Sequence, residues 1–205
     1  MPRPHDLLRL STAAADELPA DAPPWTRGVL RTAPWVVVRR ADTPEGVVPV
    51  GIRGADRSHR YPWLVSQENV QTTLSPEDLI DAHALAGRDV PAVLALSEAR
   101  EPLAESRFPW GPTGSVGFEL ATGIPTATTD SDLDLLVRVD VLNTEALDRL
   151  ATLFHRLTHL ATRVDCQVDT VVGAIALAEL VSESNEVMVR TTSGPRLIER
   201  ASAMQ

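Results

Sequence analysis

The chain carries one cysteine, Cys166, so no intrachain disulfide can form, as suits a reducing compartment. It has no apolar run approaching the roughly 20 residues that a bilayer-spanning helix requires. Its first residues, "MPRPHDLLRL", contain no signal-peptide apolar region. A cytoplasmic protein with no membrane partner is therefore expected. Positive charge is also scarce: 19 Lys and Arg against 28 Asp and Glu give a net charge of −9. That balance argues against a broad nucleic-acid-binding surface and leaves room only for local basic pockets. Internal repeats and low-complexity tracts are missing too. What is present is an ordinary globular composition, 43% hydrophobic and 23% charged, in 205 residues. That length suits one large domain or two small ones.

The sixteen prolines cluster in the first 125 residues. "ELPADAPPW" (17–25) reads as a connecting segment, because proline suits neither a helix interior nor a central strand. "WVVVRR" (35–40) and "GVVPVGIRG" (46–54) read as strands joined by "ADTPEG", with Pro49 suggesting an edge or a bulge. Residues 1–75 are thus expected to form a small α+β module, and 76–205 a second domain. Ser75, Pro76 and Asp78 look like the capped start of a helix over 75–87, stopped by Gly87. "PAVLALSEAR" (91–100) reads as a helix, and Val116 to Ala121 as a short one after turn residues. In 144–161, Leu147, Leu150, Leu153, Phe154, Leu157 and Leu160 line one helical face. "LDLLVRVDV" (133–141), "RVDCQVD" (163–169) and "EVMVRTT" (186–192) read as strands, the last closed by "SGPR", and "GAIALAELV" (173–181) as a short helix.

Within "SDLDLLVR", Asp132 and Asp134 stand one residue apart in an otherwise apolar strand. Side chains at i and i+2 of a strand share a face, so both carboxylates project together while Leu133 and Leu135 point to the core. Like charges so close need a shared proton or a cation between them. Carboxylate-only ligation favours a hard ion such as Mg²⁺ or Mn²⁺. In "TRVDCQVDT", Asp165, Gln167 and Asp169 share a face. If that strand lies beside the first, Asp165 can complete a site for two ions, the usual apparatus for displacement at phosphorus; Asp169 is the alternative third ligand. Gly114-Ser115 opens the short helix, where free backbone N–H groups favour a phosphate. A plain turn with a capping serine is the alternative reading of those two residues.

Gly114, Ser115, Asp132, Asp134 and Asp165 together resemble the pattern of the nucleotidyltransferase superfamily that includes DNA polymerase β. The gap from Ser115 to Asp132 is longer than is usual there: "ATGIPTATTDS" either reaches the substrate or makes the Gly-Ser match accidental. A narrower resemblance covers nearly the whole chain and accounts for that gap. "HDLLRL", "PWVVVRR", "VPVGIRGADRSHR", "GSVGFELATGIPT…SDLDLLVR", "VDCQVDTVVGAIALAEL" and "VRTTSGPRLI" are similar to the malonate decarboxylase holo-(acyl carrier protein) synthase family, also called phosphoribosyl-dephospho-CoA transferase. The resemblance implies an α+β, nucleotidyltransferase-like catalytic domain with a mixed sheet. It also implies a reaction: the nucleotide part of 2′-(5″-triphosphoribosyl)-3′-dephospho-CoA passes to a serine of the malonate decarboxylase acyl carrier protein, and pyrophosphate leaves. Asp132, Asp134 and Asp165 would hold two Mg²⁺ or Mn²⁺ ions, with Asp165 the best-placed base. Arg53, Arg57, Arg60, Arg138, Arg190 and Arg196 lie in matching segments and are candidates for the triphosphate. A citrate-lyase-type carrier synthase and an inactive nucleotide-binding module are the alternatives.

Other features invite plainer readings. His155 and His159 are spaced i, i+4 but have no third ligand nearby in sequence, so surface histidines are expected. Trp25, Trp35, Trp63 and Trp110 read as packing residues, and Cys166 as an inert thiol on the core side of its strand.

Overall fold

The alternating segment Val48, Val50, Ile52 packs its branched side chains inward, and a sheet grows around it. In the computed structural model, which describes residues 1–54, 59–80, 85 and 87–204, the chain divides into two compact units, Met1–Ser75 and Pro76–Gln205. The first contains β1 (Leu7–Leu10), α1 (Pro24–Thr32), β2 (Trp35–Val38), β3 (Val47–Arg53), β4 (Arg60–Ser66) and β5 (Val70–Leu74). Its strands run antiparallel in the order β4-β3-β2-β1-β5. Leu8, Leu10, Val36, Val38, Trp63 and Val65 join the β3 residues and Leu30 of α1 in one core.

Pro49 lies in β3, an interior strand rather than the edge expected for a proline. The register explains how this is tolerated. The ladder between β2 and β3 ends at Val38 and Val50, and beyond it the Pro49 carbonyl accepts Arg39 N–H at 2.8 Å. The proline therefore stands where β2 no longer needs a ladder donor.

The second unit opens with a 3₁₀ helix, Pro76–Leu79. There follow α2 (Pro91–Ser106), β6 (Trp110–Pro112), α3 (Gly114–Thr122), β7 (Leu133–Arg138), α4 (Thr144–Leu157), β8 (Val164–Thr170), β9 (Gly173–Ala176), α5 (Leu177–Leu180), β10 (Glu186–Thr191), β11 (Gly194–Glu199) and α6 (Arg200–Ala203). The sheet order is β11-β10-β9-β8-β7-β6; β7 and β8 pair parallel and the other neighbours antiparallel, giving an α+β unit with a mixed sheet. Leu133, Leu135 and Val137 of β7, Cys166 and Val168 of β8, Ile175, Val187 and Val189 share one core with Leu96 and Leu103 of α2 and Leu150, Leu153 and Leu157 of α4. Asn143 caps α4 by accepting the N–H of Ala146 at 2.9 Å. No described helix is long and apolar enough to cross a membrane.

Several elements depart from the sequence reading. The segment 173–181 is not one helix: β9 comes first, then the single turn α5. A short apolar run has no decisive period. Here Gly173, at φ +134°, turns the chain back so that Ala174 and Ile175 pair with β8. The segment after β10 is a further strand, β11, and Trp110–Pro112 is a strand where turn residues were expected. Of the helix expected over 75–87, Pro76–Leu79 forms a 3₁₀ turn instead, and 81–84 and 86 lie outside the described residues.

That 3₁₀ turn lies directly on β6. A Cβ added at Gly111 would overlap the Pro76 carbonyl. Gly111→Ala should therefore lower stability by about 1–3 kcal/mol, the usual range for overpacking. Gly28→Ala, within α1 where nothing lies within 4 Å, should instead raise it by roughly 0.5–1 kcal/mol. Denaturant midpoints of the two variants check both signs.

Candidate active site

Asp134 and Asp165 are register partners across the parallel pair β7–β8. Adjacent strands lie about 4.8 Å apart, and register partners in a parallel pair point to the same face. The two carboxylates therefore stand side by side, opposite the face that buries Leu133, Leu135 and Cys166. Asp132, half-buried, stands one residue ahead of β7. Among the described residues, no group of three or more His, Cys, Asp or Glu side chains converges tightly enough to hold a metal. The arrangement is a pair with a third carboxylate adjacent in sequence. The donors are hard oxygens, which suits Mg²⁺ or Mn²⁺ in type.

The Gly-Ser turn sits on this pair. Gly114, at φ +60°, occupies the left-handed region, and a Cβ there would overlap the Asp134 carboxylate. Both facts require glycine. Thr113 N–H also donates to the Asp134 carbonyl at 2.8 Å. Ser115 is buried in the first turn of α3.

Four residues further along, about 13 Å at ~3.3 Å per residue, an ion triad centred on a buried arginine occupies the same face. Arg138 Nε donates to Glu77 Oε1 at 2.5 Å and Nη1 to Asp169 Oδ2 at 2.7 Å. Arg138 is 7% exposed. Its guanidinium is thus engaged by two carboxylates, and Asp169 is held by that guanidinium. Asp165, in contrast, is exposed beside Asp134.

The remaining arginines are dispersed. Arg190 is exposed in the row that runs from Asp169 through Ala174, on the carboxylate face. Arg196 pairs with the buried Val189 and so projects from the other face. Arg53 and Arg60 are register partners on β3 and β4 in the first unit, and Arg57 lies outside the described residues. His155 and His159 are both exposed.

One residue escaped the sequence reading. Glu119 of α3 is 2% exposed, and its Oε2 accepts the N–H groups of Thr126 and Ala127, each at 2.9 Å. Arg88 Nε lies 2.7 Å from Oε1. Burial raises the Glu119 pKa, but the two backbone donors and the Arg88 guanidinium outweigh it and hold the carboxyl below its ordinary value. The signal available in sequence was an acid inside the apolar helix "SVGFELA". Cys166 behaves oppositely: burial, aided by the Asp165 charge, pushes its thiol up to about 12. Asp165 and Cys166 also line a cavity of about 240 Å³ with Phe154, Leu157, Arg163 and Leu177.

Comparisons with known proteins give the family. The family model described as the phosphoribosyl-dephospho-CoA transferase MdcG C-terminal domain matches residues 77–201, and that of the N-terminal domain matches residues 3–76. The chain belongs to the MdcG family. Relatives named phosphoribosyl-dephospho-CoA transferase include one from Pseudomonas fluorescens, 40% identical over 95% of this chain and 91% of its own length. Another from Pseudomonas putida is 40% identical over 96% and 93%, and one from Azotobacter vinelandii 38% identical over 97% and 93%. No solved structure matches. Members of the MdcG family thus supply a name for the reaction, while the geometry stands on this chain alone.

Two measurements follow from the ion clusters. Arg138→Ala should cost about 3–5 kcal/mol in unfolding free energy, because it removes a buried cation bonded to Glu77 and Asp169; a phosphate-binding arginine would cost little. For Glu119, a depressed folded pKa means that its stabilisation is present above the ordinary carboxylate range and lost as pH falls through the folded value. Wild type should therefore exceed Glu119→Gln in stability at neutral pH, with the gap closing in acid, as read by denaturant unfolding at several pH values.

Proposed function

We propose that this chain transfers phosphoribosyl-dephospho-CoA from 2′-(5″-triphosphoribosyl)-3′-dephospho-CoA to a serine of the malonate decarboxylase acyl carrier protein, on a nucleotidyltransferase-like domain. The observation that carries this reading is the Gly114 turn seated on Asp134, with Asp165 as register partner, in a chain that matches phosphoribosyl-dephospho-CoA transferases along nearly all its length.

Asp134 and Asp165, with Asp132 drawn in as a third donor, would hold divalent magnesium or manganese. When bound, such ions neutralise charge on the reacting phosphates and ease deprotonation of a hydroxyl nucleophile. Asp165, exposed on that face, accepts the proton of the carrier serine as its oxygen attacks the α-phosphorus. The Oγ–P bond forms, the bond from α-phosphorus to the bridging oxygen breaks, and pyrophosphate leaves with that oxygen. The N-terminal N–H groups of α3, starting at Gly114 and Ser115, face developing phosphate charge. Of the candidates Arg138, Arg190 and Arg196, Arg190 is the one exposed on the carboxylate face and would meet the leaving pyrophosphate. Arg138 is assigned to the ion triad instead.

Intact-mass analysis of apo carrier protein incubated with the chain, Mg²⁺ and triphosphoribosyl-dephospho-CoA tests the reading. The expected result is a mass gain of one phosphoribosyl-dephospho-CoA unit with pyrophosphate released. Asp134→Asn should slow it by at least ~10³-fold, equivalent to several kcal/mol of lost transition-state stabilisation. An unmodified carrier, or undiminished transfer by that variant, would contradict it.

A further inference from the structure

Helix α3 touches the carboxylate pair at its first residue and something else near its end. Glu119 reaches from α3 into the loop 123–131, the stretch that leads to Asp132. Its Oε2 accepts two successive backbone N–H groups, from Thr126 and Ala127. Arg88 completes the clasp. Its Nε lies against Glu119 Oε1, and its Nη2 donates to the Ala127 carbonyl at 2.9 Å and to Glu119 Oε2 at 3.3 Å. Ala127 is therefore gripped at both its N–H and its C=O. The chain then closes on itself: Thr128 N–H donates to Ser131 Oγ, and Ser131 N–H to the Thr128 carbonyl, each at 3.0 Å. Ser131 is buried, and the next residue is Asp132.

We propose that Glu119 and Arg88 are positioning residues which fix the 123–131 loop, and through it Asp132, so that one helix locates both aspartates of the Asp-x-Asp pair. The inference rests on the carboxylate role given under the proposed function. Gly114, at the start of α3, sets Asp134; Glu119, on the same helix, sets the approach to Asp132. A loop of nine residues with no regular structure has many conformations available, and ordering it costs roughly 1–2 kcal/mol per residue. Charge-assisted hydrogen bonds from a buried carboxylate are about twice as strong as neutral ones, which suits them to that task. Neither residue is assigned contact with the reacting atoms, so both act on rate through Asp132. A catalytic group displaced by ~1 Å can lose about 10²-fold in rate.

The test uses the full chain with Glu119→Gln and, separately, Arg88→Gln, which also serves if the first variant does not fold. Three quantities are read: carrier modification kinetics, Mn²⁺ affinity, and native-state amide exchange at Thr126 and Ala127 against β7 and β8. Expected are faster exchange at Thr126 and Ala127 with β7 and β8 still protected, Mn²⁺ binding weakened several-fold, and kcat lowered by ~10- to 10²-fold with KM for the nucleotide near that of wild type. Faster loop exchange with unchanged Mn²⁺ affinity and unchanged kcat would overturn the inference. So would loss of protection throughout β7 and β8, which would mark the clasp as general scaffolding. If wild type itself modifies no carrier, the transferase reading fails, and the Mn²⁺ and exchange data alone decide the positioning role: weakened binding supports it and unchanged binding overturns it.

Discussion

The parallel pairing of β7 with β8 is the constraint from which the rest of the second unit follows. Parallel strands need a crossover between them, and α4 supplies it, covering one face with Leu150, Leu153 and Leu157. With that face apolar, strand alternation sends every charged residue of β7 and β8 to the other. Register then does the chemistry. Asp134 opposes Asp165, and four residues on Arg138 opposes Asp169. A slip of one residue would bury the carboxylates among leucines, so the core itself holds the site in register.

The same face thus carries two different electrostatic solutions. At one end two like charges, Asp134 and Asp165, lie side by side, an arrangement that a bound cation would favour. At the other, Arg138 sits between Glu77 and Asp169, so one cation serves two carboxylates. Glu77 belongs to the 3₁₀ turn packed on β6, so the triad also fastens the start of the unit to its sheet. Glu119, buried, with the half-buried Arg88 forms a further ionic cluster, placed on the loop rather than the sheet. Breaking buried pairs of this kind is expensive because the surviving charge stays desolvated.

The strands around the aspartates were legible because alternation is strong in "DLDLLVR" and "VDCQVD", where one set of positions is uniformly apolar. β9 and α5 were not, since "GAIALAEL" is apolar at both periods and only Gly173 and the neighbouring β8 settle which applies. β11 hid behind its proline, which an edge strand tolerates. Glu119 was missed because its partners are two backbone N–H groups and an arginine 31 residues away, none of which composition or spacing reveals. The six arginines could not be sorted in sequence for the same reason. Facing depends on register, and register sends Arg138 to Asp169, Arg190 to the carboxylate face and Arg196 to the other.

The account stands on Asp134 and Asp165 acting as one cation-binding pair. Titration of the full chain with Mn²⁺, followed by electron paramagnetic resonance, addresses it most directly when wild type is compared with Asp165→Asn. The account predicts that removing this single charge weakens Mn²⁺ binding at least about tenfold, equivalent to roughly 1.4 kcal/mol. Equal affinity in the two proteins would contradict it.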